Sequence, residues 1–129
     1  MKVLLINGSP NQTGCTYTAL HEVENTLKAN SIETKLLYLG KKPIAGCIAC
    51  GACMKTGHCF RDDLVQEIQK RLDEFDAIVI GSPVYYSAPT GQLVSFLNRL
   101  FFATENRMAG KLGASVVSYR RGGASATFE

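Results

Sequence analysis

Lys2 to Ile6 form a nearly unbroken apolar run that is stopped by Asn7 and Gly8. A strand with no polar alternation meets water on neither face, so it belongs in the middle of a parallel sheet covered by helices on both sides. The rest of the chain supplies the partners. Between Thr16 and Ala29, Leu20, Val23 and Leu27 recur at helical spacing before Asn30 closes the segment. Ile32 to Leu39 reads as a second strand, and Asp63 with Gln66 offers a capping box for a helix over 64–72. Asp76 to Ile80 is a third strand. Leu93, Phe96, Leu97 and Leu100 mark another helix, and Gly113 to Tyr119 a fourth strand. The order βαβαβαβ predicts an α/β three-layer sandwich, in which the loops after the strands emerge along one edge and bind ligands there. Function is therefore expected in residues 7–16, 40–61, 81–90 and 119–124.

A chain of 129 residues with 46% hydrophobic content is expected to form one domain, 1–129, with a real core. The net charge of +3 is spread rather than gathered, which argues against nucleic acid and anionic membranes as partners and leaves small anions open. No signal-peptide pattern precedes the first strand and no apolar run approaches a bilayer's thickness, so the expectation is a cytoplasmic protein. There, clustered cysteines stay reduced and serve metal binding or thiol chemistry rather than a disulfide scaffold.

Between strand 1 and helix 1, Gly8-Ser9-Pro10-Asn11-Gln12-Thr13-Gly14-Cys15-Thr16 is rich in hydroxyls and small residues and leads straight into a helix N-terminus. Free amides and a positive dipole end suit a phosphate monoester; the plainer reading is that these residues only cap the helix. Neither G-x-G-x-x-G nor Gly-Lys-Thr/Ser is present, so a dinucleotide pyrophosphate and a nucleoside triphosphate both lack their usual seats. After strand 3, Ser82-Pro83-Val84-Tyr85-Tyr86-Ser87-Ala88-Pro89-Thr90-Gly91 forms a stiff turn with adjacent aromatics, against which a flat ring can lie. The alternative is that both tyrosines simply cover the core. Gly-Ser-Pro occurs at two strand ends, Gly8–Pro10 and Gly81–Pro83.

Four of the five cysteines, Cys47, Cys50, Cys53 and Cys59, fall within thirteen residues, with no histidine at zinc-finger spacing. Thiolates at such spacing converge on one metal centre. A fourth cysteine followed by Phe60 rather than Pro departs from the paired-cluster ferredoxin run, so all four can serve one centre. An iron-sulfur cluster, a four-thiolate zinc site, and a thiol–disulfide or purely structural role all remain compatible with the spacing.

Together these residues resemble the NADPH-dependent FMN reductase family of flavodoxin-like proteins, and within it the iron-sulfur flavoproteins. Asn7-Gly8-Ser9-Pro10 with Thr13-Gly14-Cys15-Thr16 is similar to the family's phosphate loop, and Gly81-Ser82-Pro83-Val84-Tyr85-Tyr86 with Pro89-Thr90-Gly91 to its isoalloxazine loop. The resemblance implies that Ser9, Asn11, Thr13, Gly14, Cys15 (through its amide) and Thr16 hold the FMN phosphate. It places Ser82, Pro83, Val84, Tyr85, Tyr86, Ser118, Arg120 and Gly122 around the ring. It also implies a 4Fe-4S cluster on Cys47, Cys50, Cys53 and Cys59. Cys15 departs from the family, which often has Asn there. The implied activity is an NAD(P)H-dependent oxidoreductase, or an electron-transfer flavoprotein, passing electrons from NAD(P)H or ferredoxin to an acceptor. Flavin takes electrons in pairs and the cluster carries them singly, so no protein nucleophile is needed. A non-catalytic flavodoxin-like carrier, a reductase with cluster-free cysteines, and a zinc module with an empty flavin site are the competing readings.

The resemblance further implies the strand order 2-1-3-4 with the family's fifth strand missing from this chain, as in a fragment, a short form, or a homo-oligomer (dimer or tetramer) that covers the open edge. Among lesser candidates, His21 reads as a surface or packed histidine, His58 as a solvent-exposed neighbour of Cys59, and Asp62 and Asp63 as caps of the second helix. Arg120 and Arg121, backed by Gly122 and Gly123, read as a ligand-facing loop or a solvated basic turn.

Overall fold

A computed structural model describes the backbone of residues 1–129 and the side chains of all but Glu105. Four strands, β1 (Lys2–Asn7), β2 (Glu33–Tyr38), β3 (Ala77–Pro83) and β4 (Leu112–Ser118), pair in parallel in the order β2-β1-β3-β4. Helices α1 (Cys15–Ala29), α2 (Cys53–Thr56), α3 (Leu64–Lys70) and α4 (Gly91–Thr104) lie in the connections, and α5 (Ala124–Phe128) packs on β4. This is the expected sandwich with the expected strand order.

The apolar run of β1 explains the layers. Leu4 and Ile6 face a core with Val65, Ile68, Leu93, Phe96 and Leu100 from α3 and α4, while Val3 and Leu5 face Leu20 of α1. All four β1 side chains are buried, each contributing roughly 1.5–3 kcal/mol of apolar burial. Among the described residues no helix is long and apolar enough to cross a membrane.

The boundaries differ from expectation in three places, each with a local cause. β3 runs on through Gly81-Ser82-Pro83 because β4 extends beside it, pairing Gly81 with Val116 and Pro83 with Ser118. The helix expected over 64–72, α3, stops at Lys70, and a short 3-10 turn at Leu72–Glu74 carries Leu72 into the core. The capping box is only half formed. Asp63 accepts from the amides of Val65 and Gln66, but the Gln66 side chain turns away and donates to the Cys59 carbonyl at 2.8 Å.

The two Gly-Ser-Pro segments meet. The Gly8 amide donates to the Gly81 carbonyl at 2.9 Å, closing the end of the β1–β3 ladder. A Cβ on Gly8 would stand 2.9 Å from Leu93 of α4, and one on Gly81 would stand 2.7 Å from Leu20 of α1. Both helices can approach the ligand edge so closely only because these two positions have no side chain.

Candidate functional site

The phosphate-loop candidate is shaped by Asn7, a wholly buried polar residue. Its Oδ1 accepts from the Ser9 amide at 3.0 Å and its Nδ2 donates to the Gln12 carbonyl at 3.2 Å, while Ser9 Oγ accepts from the Asn11 amide at 3.1 Å. The loop therefore satisfies part of its own backbone through side chains. From β2, the Tyr38 hydroxyl donates to the Pro10 carbonyl at 2.7 Å. Thr90 ties in the third side: its hydroxyl donates to the Gly8 carbonyl at 2.7 Å and accepts from the Leu93 amide at the start of α4.

The helix starts behave differently. Asp63 caps α3 and Thr90 caps α4, but no side chain caps α1, whose first turn also carries no acidic residue. The plainer reading of the loop, as a capping segment, is not what the structure builds. The α1 amides keep their donor capacity and their positive dipole end.

A cleft at this edge is lined by Ser9, Asn11, Cys15 and Thr16 on one side and by Pro83, Val84, Tyr85, Ser118, Tyr119 and Arg120 on the other. The two sides are joined by a 2.8 Å hydroxyl–hydroxyl bond between Thr16 and Ser118. The remaining candidates lie elsewhere. Thr13 and Gly14 line an adjacent depression with Tyr38 and Lys41. Ser82 is buried, its hydroxyl donating to the Pro83 carbonyl and accepting from the Thr90 amide. Tyr86 is fully exposed. It forms with Ser87 the centre of a tight turn in which both residues are left-handed, at φ 51° and 60°, closed by paired bonds between Tyr85 and Ala88. Two successive non-glycine residues in that region are strained, and the turn they form is flanked by Tyr85, which lines the cleft. In the last loop it is Gly123, at φ 87° and pressed near Val84, that needs to be glycine; a Cβ on Gly122 would meet nothing.

The four clustered cysteines line one small, open cavity, with Ile48, Phe60, Phe102 and Ala103 among its walls. Burial raises the Cys53 thiol above its ordinary value, and Cys50, Cys47 and Cys59 push the same way, so the sulfurs share one electrostatic neighbourhood. Among the described residues no three His, Cys, Asp or Glu side chains gather as a site for a single metal ion. All four cysteines nevertheless border the same hollow, and an all-thiolate donor set is the chemistry an iron-sulfur centre takes.

Sequence reasoning missed what holds this cavity together. Arg99 of α4 is 1% exposed and donates through Nη1 and Nη2 to both oxygens of Asp63, at 2.6 and 2.8 Å. Burial alone would raise the Asp63 carboxyl, but the bonds from Arg99 outweigh it and hold the carboxyl below its usual range. Gln69, also enclosed, accepts from the Cys59 amide at 2.7 Å and donates to the Arg99 carbonyl at 2.7 Å. His58 Nδ1 lies 3.1 Å from the Cys59 carbonyl, and His21 stacks on Tyr17 and pairs with Glu24, away from both sites.

The cavity and the cleft share no lining residue. The cysteine loop leaves the ligand edge after β2 but folds back along α4, where Arg99 lies eight residues beyond Gly91, about 12 Å down the helix.

A four-stranded parallel sheet of this order, flanked by helices, with an uncapped helix start facing an aromatic turn at the strand ends, defines a flavodoxin-like fold. The model of the NADPH-dependent FMN reductase family matches residues 1–129, and the chain belongs to that family. It is 34% identical over its whole length to an iron-sulfur flavoprotein of Methanocaldococcus jannaschii, of which it covers 68%. It is 32% identical over 92% of its length to an iron-sulfur flavoprotein of Archaeoglobus fulgidus, of which it covers 54%. The chain thus spans about half to two thirds of the length of these relatives. Among solved structures, an FMN-dependent NADH-azoreductase of Bacillus anthracis in complex with FMN superposes with TM-score 0.65 at 12% identity, over 92% of this chain and 69% of that one. An archaeal flavodoxin superposes with TM-score 0.63 at 17% identity, over 95% and 65%. At such identities the likeness is one of fold.

Proposed function

We propose that residues 1–129 form an FMN-binding domain of an oxidoreductase that passes electrons between a reduced donor, NAD(P)H or ferredoxin, and an acceptor, through FMN and a 4Fe-4S cluster. The observation that carries the flavin reading is the uncapped start of α1 set opposite the Tyr85 turn across one cleft. In this reading the amides from Thr13 through Thr16 hold the phosphate, with Ser9 and Asn11 fixing the loop around it. Pro83, Val84 and Tyr85 flank the ring, and Ser118 and Arg120 close its far side, the guanidinium favouring negative charge that develops there. FMN would supply the exchange between paired and single electrons, and the cluster would carry the single ones. Cys47, Cys50, Cys53 and Cys59 would hold that cluster, a reading supported by their shared cavity and by the names of the two relatives. A cytoplasmic homo-oligomer, dimer or tetramer, completes the proposal; the exposed side chains of Phe101, Leu112 and Phe128 favour a partner surface.

Anaerobic purification, iron, sulfide and zinc analysis and an FMN titration by fluorescence quenching test the two centres separately. Saturable FMN uptake with about four irons per chain is the expected result. Flavin without iron removes the cluster and keeps the reductase, and no saturable uptake removes the flavin reading. Turnover of NAD(P)H with a quinone or free flavin separates an enzyme from a carrier. Sedimentation as a monomer at micromolar concentration removes the oligomer.

A further inference from the structure

Arg99 is the largest fully enclosed side chain of the protein. Taking a guanidinium out of water costs several kcal/mol unless it is paired, and Asp63 alone completes that pairing. Arg99 nevertheless directs further N–H groups elsewhere: Nε and Nη2 lie 3.4 and 3.3 Å from Cys59 Sγ, and Nη1 donates to the Ala45 carbonyl at 3.1 Å. The backbone of Cys59 is clamped on both sides as well, its amide by Gln69 and its carbonyl by Gln66. Cys47 receives only a backbone amide, from Ala49 at 3.4 Å. Arg61 also borders the cavity but lies over the Phe60 ring, 5.2 Å from its centre. Among the described residues Arg99 is thus the cation bonded to a clustered sulfur.

Resting on the cluster reading above, we propose that Arg99 and Asp63 form a charge dyad that sets the reduction potential of the centre held by the four cysteines, with Arg99 acting through Cys59 as a positioning residue. N–H···S bonds and positive charge withdraw electron density from a ligating sulfur and favour the more negative, reduced state of the centre. Asp63 stands behind the guanidinium and tempers the same effect with opposite sign. A purely structural ion pair predicts something different, since losing either partner would loosen the cavity in one common direction.

The test is a potentiometric titration of anaerobic full-length protein, followed by the electron paramagnetic resonance of the reduced centre. Arg99→Gln is expected to lower the one-electron reduction equilibrium about tenfold, a shift of about 59 mV to more negative potential. Arg99→Lys keeps the charge but cannot fork to sulfur and carboxylate together, and is expected to shift the same way by less. Asp63→Asn, which still caps α3, is expected to move the potential upward. If Arg99→Gln does not fold, the lysine and asparagine variants carry the same opposed signs. Wild-type protein with about four irons whose variants shift together, or not at all, overturns this inference alone. Wild-type protein without iron overturns the cluster reading and this inference with it.

Discussion

The cleft at the strand ends and the cavity under α4 are built on opposite principles. The loop between β1 and α1, one side of the cleft, is made from main chain and short polar side chains that bond within a few residues: Asn7 to Ser9 and Gln12, Ser9 to Asn11. The cavity is apolar, Cys47 and Cys50 are exposed while Cys53 and Cys59 are half-buried, and its support includes side chains far along the chain, with Arg99 reaching Cys59 across 40 positions. A locally knit loop can hold an anion without bringing in charge. A ring of thiols separated in sequence from its supports depends on helix packing to keep its shape.

Changing one region should therefore leave the other standing. Cys50→Ser removes one of the four thiolates and is expected to abolish most iron binding while FMN uptake changes less than about twofold; metal analysis beside a flavin titration checks both. Gly81→Ala attacks the cleft from behind, since its Cβ would stand 2.7 Å from Leu20 and 2.9 Å from Thr16. It is expected to cost about 1–3 kcal/mol in denaturant unfolding and to weaken FMN binding, while iron content per folded chain is kept. Equal loss of both centres would mean that cavity and cleft are one cooperative unit. Thr16→Val cuts the bond to Ser118 and is expected to cost about 0.5–1.5 kcal/mol of FMN affinity, roughly twofold to twelvefold in Kd, with iron unchanged.

The smallest effect belongs to neither region. Glu24 is nearly buried, and burial alone would raise its carboxyl; bonds to Lys28, Thr34 and His21 outweigh this and hold it below the ordinary 4.5. A carboxyl lowered on folding adds stability above its unfolded value, and that stability is lost as pH falls through the folded one. Glu24→Gln should thus cost about 0.5–1 kcal/mol near neutral pH, and the difference should vanish as the pH drops below the folded value. A series of unfolding curves between neutral and acid pH checks it, with both centres expected to be unaffected.

The same contrast explains what could be read in advance. Strand and helix placement and the polar loop before α1 follow from periodicity and from turn residues adjacent in sequence, and those forces act locally; the strand order came with the family resemblance. Even there, an Asp63–Gln66 box looked reciprocal because no local pattern shows that Gln66 has a better acceptor in the Cys59 carbonyl. The four cysteines were visible as a set, but not their support. Arg99 sits among Phe96, Leu97 and Leu100, where apolar spacing marks a core face and a charged residue there reads as exposed. The one available signal was that Arg99 lies three residues beyond Phe96, on the buried stripe. Tyr85 and Tyr86 looked equivalent in sequence, and only the left-handed turn separates them.

The hydroxyl bond between Thr16 and Ser118 joins groups 102 positions apart. During synthesis the phosphate half of the cleft emerges early, while its opposite wall waits for the strand that ends at Ser118. A nascent chain paused before that point exposes a formed cradle with no backstop. In the proposed FMN reading, cofactor capture is thereby tied to the seating of β4, and a ribosome-bound chain with only residues 1–110 outside the exit tunnel should retain FMN far more weakly than one that has emerged past Arg120.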